Sequence, residues 1–287
     1  MKNIFLNLIL LGCIILTSCE DDAPGAYKES FIVDALLLVD MPIEGINILR
    51  TQAIFDKYIH DSTYVKNAII SIEGDGKIFN LQYRSKDEMG VQGYFATDLN
   101  YKVKSNTHYS LKVILQNGDV LTGETTTPER TNWIIKANQM LQYPKDTLKL
   151  KATDSIAWAK VANNDFYIIS VKCLDTLDYG KYLTPSTPEL NRRIYFPLGS
   201  ESRYKDFTSY SPIANTKTSV VWAAFKWYGL QQVKIFVPDY NFLRWFIQAQ
   251  VKQEMDPLLS SIKGNAYGFF GSASFISDTT FLLKNQP

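Results

Sequence analysis

Histidine and cysteine are scarce in this chain. Only His60, His108 and three cysteines occur among its 287 residues, so any Ser-His-Asp or Cys-His arrangement must be built on one of two histidines. His60 lies in the polar stretch Asp56-Lys57-Tyr58-Ile59-His60-Asp61-Ser62, His108 enters a strand-like run beside Thr107, and no Gly-x-Ser-x-Gly occurs. Zinc needs clustered His and Cys ligands that the sequence does not offer. Gly74-Asp75-Gly76-Lys77 has neither the spacing nor the following helix of a phosphate-binding loop. Glu73, Asp75, Asp119 and Asp154 at loop tips leave calcium open without a spaced motif to support it, and a carboxylate pair for glycoside hydrolysis is invisible in sequence. The chain reads as a protein that is not an enzyme, with no cofactor and no metal site.

An excess of charge of either sign is also missing. Lys2 is the only charge before Cys19; without it the basic side chains number 29, equal to the 29 acidic ones. A strongly basic nucleic-acid binder is therefore not expected. Glycine (15) and proline (11) are too few for a collagen-like or low-complexity chain.

What is present begins with an address. Met1-Lys2-Asn3 is a basic start, Ile4 to Leu16 is a nearly continuous apolar run of 13 residues, and Leu16-Thr17-Ser18-Cys19 ends it with small residues before a cysteine. That is the pattern of a lipoprotein signal peptide over residues 1–18. The run is short of the ~20 residues that span a bilayer as a helix. Leu11-Gly12-Cys13 is a competing site, but it leaves an apolar stretch of only about eight residues, at the low edge for a signal peptide. Cys19 is thus the expected lipidation site: its thiol carries a diacylglyceryl group, and each buried CH₂ of the chains adds ~0.8 kcal/mol of membrane attachment. Residues 19–30 read as a tether. Its Glu20-Asp21-Asp22 resembles the acidic signal that exports Bacteroidota lipoproteins to the outer face of the outer membrane. With Cys13 discarded and Cys19 acylated, Cys173 has no partner within the chain and reads as a small buried hydrophobe in an apolar strand.

Sixteen Phe, 17 Tyr and five Trp favour strands. Phe31 to Val39 is a continuous apolar run, Gly45 to Arg50 a shorter one. Ala68 to Glu73 and Lys77 to Tyr83 flank Gly74-Asp75-Gly76, and Tyr109 to Leu115 and Val120 to Thr127 flank Asn117-Gly118; both are hairpin signals. The expected fold is mainly β: two tandem β-sandwich domains with one helix near the C-terminus. The first, residues 31–130, looks transthyretin- or immunoglobulin-like. Residues 131–146 read as a linker. The second, 147–287, looks fibronectin III-like, with strands at Thr147 to Leu150, Ser155 to Val161, Asp165 to Val171, Ser219 to Phe225, Gln232 to Val237, Gly268 to Ile276 and Thr280 to Leu283. Pro238-Asp239 opens a helix over 239–255 whose Leu243, Phe246, Ile247 and Gln250 share a face.

Residues 175–218 carry four prolines and little periodicity, far beyond an ordinary loop, and form either a functional excursion or a pair of short edge strands within loops. Tyr179, Tyr182, Tyr195, Tyr204 and Tyr210 with Arg192, Arg193 and Arg203 are the residue types enriched at interfaces; they are the expected partner-binding set unless the tyrosines pack onto the second domain. Trp222, Phe225, Trp227, Tyr228 and Trp245 are rich enough for a sugar-binding platform, although strand alternation assigns most of them to core packing.

The lipobox, Phe31-Ile32-Val33-Asp34-Ala35, Pro42-Ile43, Arg50-Thr51, Thr125-Thr126-Thr127-Pro128 and Gly268-Phe269-Phe270-Gly271 occur in an order that resembles the Bacteroidota lipoprotein family called domain of unknown function 4249, over nearly the whole mature chain. The resemblance implies a lipid-anchored outer-membrane protein, exposed at the cell surface, that acts as an accessory of a TonB-dependent nutrient transporter. It brings no catalytic residues. The alternative is a surface module that itself captures a carbohydrate or a peptide.

Overall fold

Two glycine-containing turns set the first sheet. In the computed structural model, which describes residues 27–53, 55–85, 91–143, 155–194, 208–219, 224–252 and 259–284, strands β3 (Ile69–Gly74) and β4 (Lys77–Arg84) pair from Gly74↔Lys77 outward. Asp75 (φ 53°) and Gly76 (φ 68°) are left as the loop, both in the left-handed region that a tight hairpin requires. β6 (His108–Ile114) and β7 (Val120–Thr126) form the second hairpin, with Gly118 at φ 86°. Tyr109, Leu111 and Val113 are buried while His108 and Lys112 are exposed, the alternation of a sheet with one covered face. With β5 (Gly93–Ala96) and β15 (Ile262–Lys263), the order is β15-β7-β6-β3-β4-β5.

The largest sheet uses β1 (Phe31–Leu38), β2 (Asn47–Arg50), β11 (Tyr167–Cys173), β12 (Thr208–Ile213), β14 (Gly229–Pro238) and β16 (Ala266–Leu283), in the order β12-β11-β14-β16-β1-β2, with β9 (Met140–Gln142) beside the end of β16. β8 (Trp133–Ile135), β10 (Ser155–Trp158) and β13 (Lys217–Ser219) make a small third sheet.

β16 is the strand that organises the molecule. Its first part pairs in parallel with β1, from Phe31↔Ala266 to Leu38↔Ala273; its remainder pairs antiparallel with β14, from Pro238↔Ala273 to Gly229↔Leu282. Its apolar and small residues suit a strand covered on both faces. Ile262, Ala266 and Phe270 join Val33, Leu37, Ile72 and Leu111 in one core, while Phe281 and Leu282 join Trp158, Ile169, Ile235 and Phe225 in another.

Several expected boundaries change accordingly. Residues 31–130 and 147–287 are not separate blocks of packing, because the far end of the chain completes the first core. Residues 131–146 are more than a linker: β8 pairs with β10, and β9 with β16. Within 175–218, Thr208–Ile213 is an edge strand of the large sheet and Lys217–Ser219 one of the small sheet, so part of this segment is the edge-strand alternative. Ala224 and Phe225 are buried outside any strand, and Gly268 to Leu283 is one strand rather than two. The second strand starts at Asn47 because Gly45 turns at φ 72°.

A one-turn helix, α1 (His60–Thr63), precedes β3. The C-terminal helix is α2 (Tyr240–Phe246), continuing as a π-helical turn, Ile247–Lys252. Asp239 caps it, accepting from Phe242 N at 2.8 Å. Residues 1–26, with Cys19 and the tether's start, residues 147–150, and Tyr195, Arg203, Tyr204 and Trp222 lie outside the described residues.

Candidate ligand-binding groove

The described members of the expected partner-binding set, Tyr179, Tyr182, Arg192, Arg193 and Tyr210, do not gather on one surface. Tyr179 is buried in the second core, its ring 5.2 Å from that of Phe281, and its hydroxyl accepts from Lys284 N at 3.1 Å. Tyr182 is partly exposed and donates to Asp175 Oδ2 at 3.0 Å. Arg192 stacks over Tyr228 at 5.3 Å and Arg193 over Trp227 at 5.1 Å. The segment is tied to itself: Gly180 N donates to Glu189 O (2.7 Å), Asn191 N to Leu177 O (2.9 Å), and Asn191 Nδ2 to Asp175 O and Tyr228 O (2.7 Å each). Asp175 is its hub, accepting from the amides of Leu177 and Asp178 and pairing with Lys181; the Lys181 ammonium and these amides hold its carboxyl far below the usual carboxylate range. Tyr210 belongs elsewhere. It stands on the outer face of the large sheet, opposite Ser170, with its ring 6.1 Å from Phe246 of α2.

The two histidines engage hydroxyls. His60 Nδ1 meets Tyr58 Oη at 2.9 Å and Nε2 meets Tyr64 Oη at 3.1 Å, while His108 Nδ1 lies 3.3 Å from Thr126 Oγ1. Cys173 is buried, its Sγ donating to Asp175 O at 3.3 Å; burial pushes its thiol pKa up, which keeps it protonated and weakly nucleophilic. Among the described residues no three His, Cys, Asp or Glu side chains converge as a metal site.

The most ligand-like feature lies where Tyr210 points. α2 crosses the outer face of the large sheet and leaves a groove of about 400 Å³ between them, within the ~300–1,000 Å³ of small-molecule sites. Leu36, Phe236, Phe242, Trp245 and Phe269 line it together with Tyr210. The Phe269 ring stacks with Phe242 (5.8 Å, 26°) and with Trp245 (5.4 Å, 29°). These positions follow from register: Asp34 pairs with Phe269 and Leu36 with Gly271, so alternate residues of β1 and β16 share this face. Gly271 lets the helix sit down, since a Cβ there would lie 2.8 Å from Phe242 N.

Asp34 is the exception in this apolar lining. It sits between Val33 and Ala35 of β1, where both neighbours are fully buried on the core side and its own carboxylate faces the groove. That carboxylate has no hydrogen-bond or ion-pair partner among the described residues. Surrounding protein mass pushes its pKa above the ordinary aspartate value, although water still reaches it through the open groove. Trp245 and Tyr210 were among the aromatic candidates in sequence; Asp34 was not. Its signal was available: it is the one charge within the apolar run Phe31 to Val39.

A second, more polar cleft of about 590 Å³ lies between Thr126–Glu129, Val161–Phe166 and the start of α2, with Phe166 and Tyr240 exposed at its walls. Beside it runs the joint between sheets and helix. Asp239 Oδ2 accepts from Thr125 Oγ1 (2.6 Å) and Oδ1 from Ser272 N (3.0 Å), while Asn241 Nδ2 donates to Glu124 O (2.8 Å) and Phe270 O (2.9 Å).

The segments Phe31 to Ala35, Thr125 to Pro128 and Gly268 to Gly271, separate in sequence, thus meet around β16 and α2. No curated protein matches the chain. The family described as Domain of unknown function (DUF4249) matches residues 20–278, a span that takes in all three segments, and the chain belongs to that family.

Proposed function

We propose that this protein is a non-enzymatic lipoprotein of the cell envelope, acylated at Cys19, held to the outer membrane and displayed at the cell surface as an accessory of a TonB-dependent nutrient uptake system. What supports the address is the 13-residue apolar run ending in Leu16-Thr17-Ser18-Cys19, too short to span a bilayer but of the length a lipoprotein signal uses. Mass spectrometry of the N-terminal peptide tests it. A diacylglyceryl group on Cys19 is expected; an unmodified Cys19, or lipid on Cys13, overturns the address.

A second reading, a surface module that captures ligand itself, is favoured by the aromatic groove under α2. Membrane pull-downs separate the two. An accessory recovers a TonB-dependent transporter without added ligand, and recovery falls when Tyr182, Arg192 and Arg193 are replaced by alanine. Capture without a partner leaves the transporter unrecovered while small ligands bind.

A further inference from the structure

We propose that the groove beneath α2 binds an organic ammonium ion: a primary amine on a flat apolar body, its ammonium on the Asp34 carboxylate and its body against Phe242 and Trp245, which are backed by the buried Phe269 ring. This deepens the ligand-capture reading and is independent of the lipid address.

Complementarity of charge and surface carries the inference. A body seated on α2 beside Asp34 displaces the water now reaching its carboxylate, which stands next to Leu36 and across from Phe269 and has no donor among the described residues. Stripping a charge of water without pairing it is costly, so neutral and anionic ligands are penalised. An ammonium removes the penalty by donating to the carboxylate in a charge-assisted hydrogen bond. The aromatic faces of Trp245 and Phe242 add a further preference for a cation over an anion.

The same lining argues against a sugar. A saccharide presents many hydroxyls that each need a partner when buried, and the described lining of the groove offers one carboxylate, one tyrosine hydroxyl and one indole N–H amid apolar side chains. The volume of about 400 Å³ leaves room for a bicyclic body of the size of indole together with its amine-bearing chain.

Calorimetric titration of the full chain in non-ionic detergent, corrected for empty micelles, tests this with tryptamine, indole-3-propionate and 3-ethylindole, which share a body and differ in charge. Tryptamine is expected to bind about tenfold more tightly than indole-3-propionate, since the anion meets an unpaired like charge. Asp34→Asn keeps the shape and is expected to bring the two within about twofold. Trp245→Ala is expected to weaken tryptamine binding while leaving the preference for the cation in place. Equal affinity for tryptamine and indole-3-propionate in the unaltered protein overturns ammonium selection, and that measurement needs no variant to fold. A preference unchanged in Asp34→Asn, with the same thermal midpoint, overturns Asp34 as its source. No binding of any of the three indoles overturns the proposal alone and leaves capture of a carbohydrate or a peptide standing, and the Cys19 measurement stands apart from both.

Discussion

Thr125 and Ser272, 147 positions apart, bring their hydroxyls to 2.8 Å of each other beneath the N-terminus of α2. Thr125 donates its only hydroxyl proton to Asp239, so it accepts from Ser272. Asp239 in turn caps the helix and takes the Ser272 amide. One carboxylate therefore fastens β7, β16 and α2 together. The groove exists because α2 is held at this height above the sheet.

Replacing Asp239 separates its charge from its geometry. Asp239→Ala removes the cap and leaves the Thr125 hydroxyl and Ser272 amide without their acceptor, an expected loss of about 2–3 kcal/mol. Asp239→Asn keeps an acceptor oxygen and is expected to cost less than about 1 kcal/mol. Burial raises the Asp239 carboxyl above its ordinary value, with the Thr125 hydroxyl and backbone amides opposing in part. An acid whose folded pKa is raised supports the fold most where it is protonated, below its unfolded value, and that support is lost as pH rises through the folded value. Urea titrations from about pH 4 to about pH 7 are expected to show this decline in the unaltered protein and a flatter profile in Asp239→Asn.

Two glycines with positive φ separate backbone strain from crowding. Gly45 (φ 72°) has nothing within 4 Å of where a Cβ would stand, whereas at Gly268 (φ 113°) a Cβ would run into the Val33 carbonyl of β1. Gly45→Ala is expected to cost about 1 kcal/mol and Gly268→Ala about 3 kcal/mol or more. Denaturant midpoints of the two variants check the ranking; equal costs would mean that β1 yields to admit the methyl group.

The parts of this fold legible in sequence are those governed by neighbours. Asp75-Gly76 demands a tight turn whatever surrounds it, Pro238-Asp239 opens a helix through its own amides, and Tyr109, Leu111 and Val113 alternate because one face is covered. Pairings across the chain leave no such trace. Gly268 to Ile276 and Thr280 to Leu283 read as two strands because Ser277-Asp278-Thr279 interrupts the apolar pattern, yet continuous pairing with β14 makes them one. Tyr179 reads as an interface anchor by residue type, and burial against Phe281 makes it core. The groove draws on β1, β11, β12, β14, β16 and α2; Trp245 and Tyr210 stood out in sequence by residue type and Asp34 carries a charge in an apolar run, but nothing local joins the three.

Sharing of β16 has a consequence for fragments. Residues 27–143 contain most of the first core but lack Ile262, Ala266 and Phe270, and β1 in that fragment loses its parallel partner. Opening one side of a core and exposing a strand edge favours aggregation over folding. The fragment is expected to show no cooperative thermal transition by circular dichroism. A transition at the temperature of the full chain would mean that the first sheet closes its core without β16.

The segment around Asp175 and Tyr179 offers a test that distinguishes local from global roles. Asp175 ties the loop through Lys181, Tyr182 and two backbone amides, whereas Tyr179 fills the second core. Asp175→Asn is expected to speed hydrogen exchange at Leu177 and Asp178 with little change elsewhere, because the contacts it weakens belong to one loop. Tyr179→Ala is expected to lower global stability by about 3 kcal/mol or more, as removal of a buried aromatic does. The sign of the pH effect follows from the depressed Asp175 carboxyl: its contribution is present above the ordinary aspartate value and is lost as pH falls through the folded one. The loop should therefore keep its protection at neutral and mildly acidic pH and lose it only under strong acid. If Asp175→Asn instead raised exchange throughout β11 and β14, the loop would be part of the core's cooperative unit, and Tyr182, Arg192 and Arg193 could not be altered for partner tests without disturbing the fold.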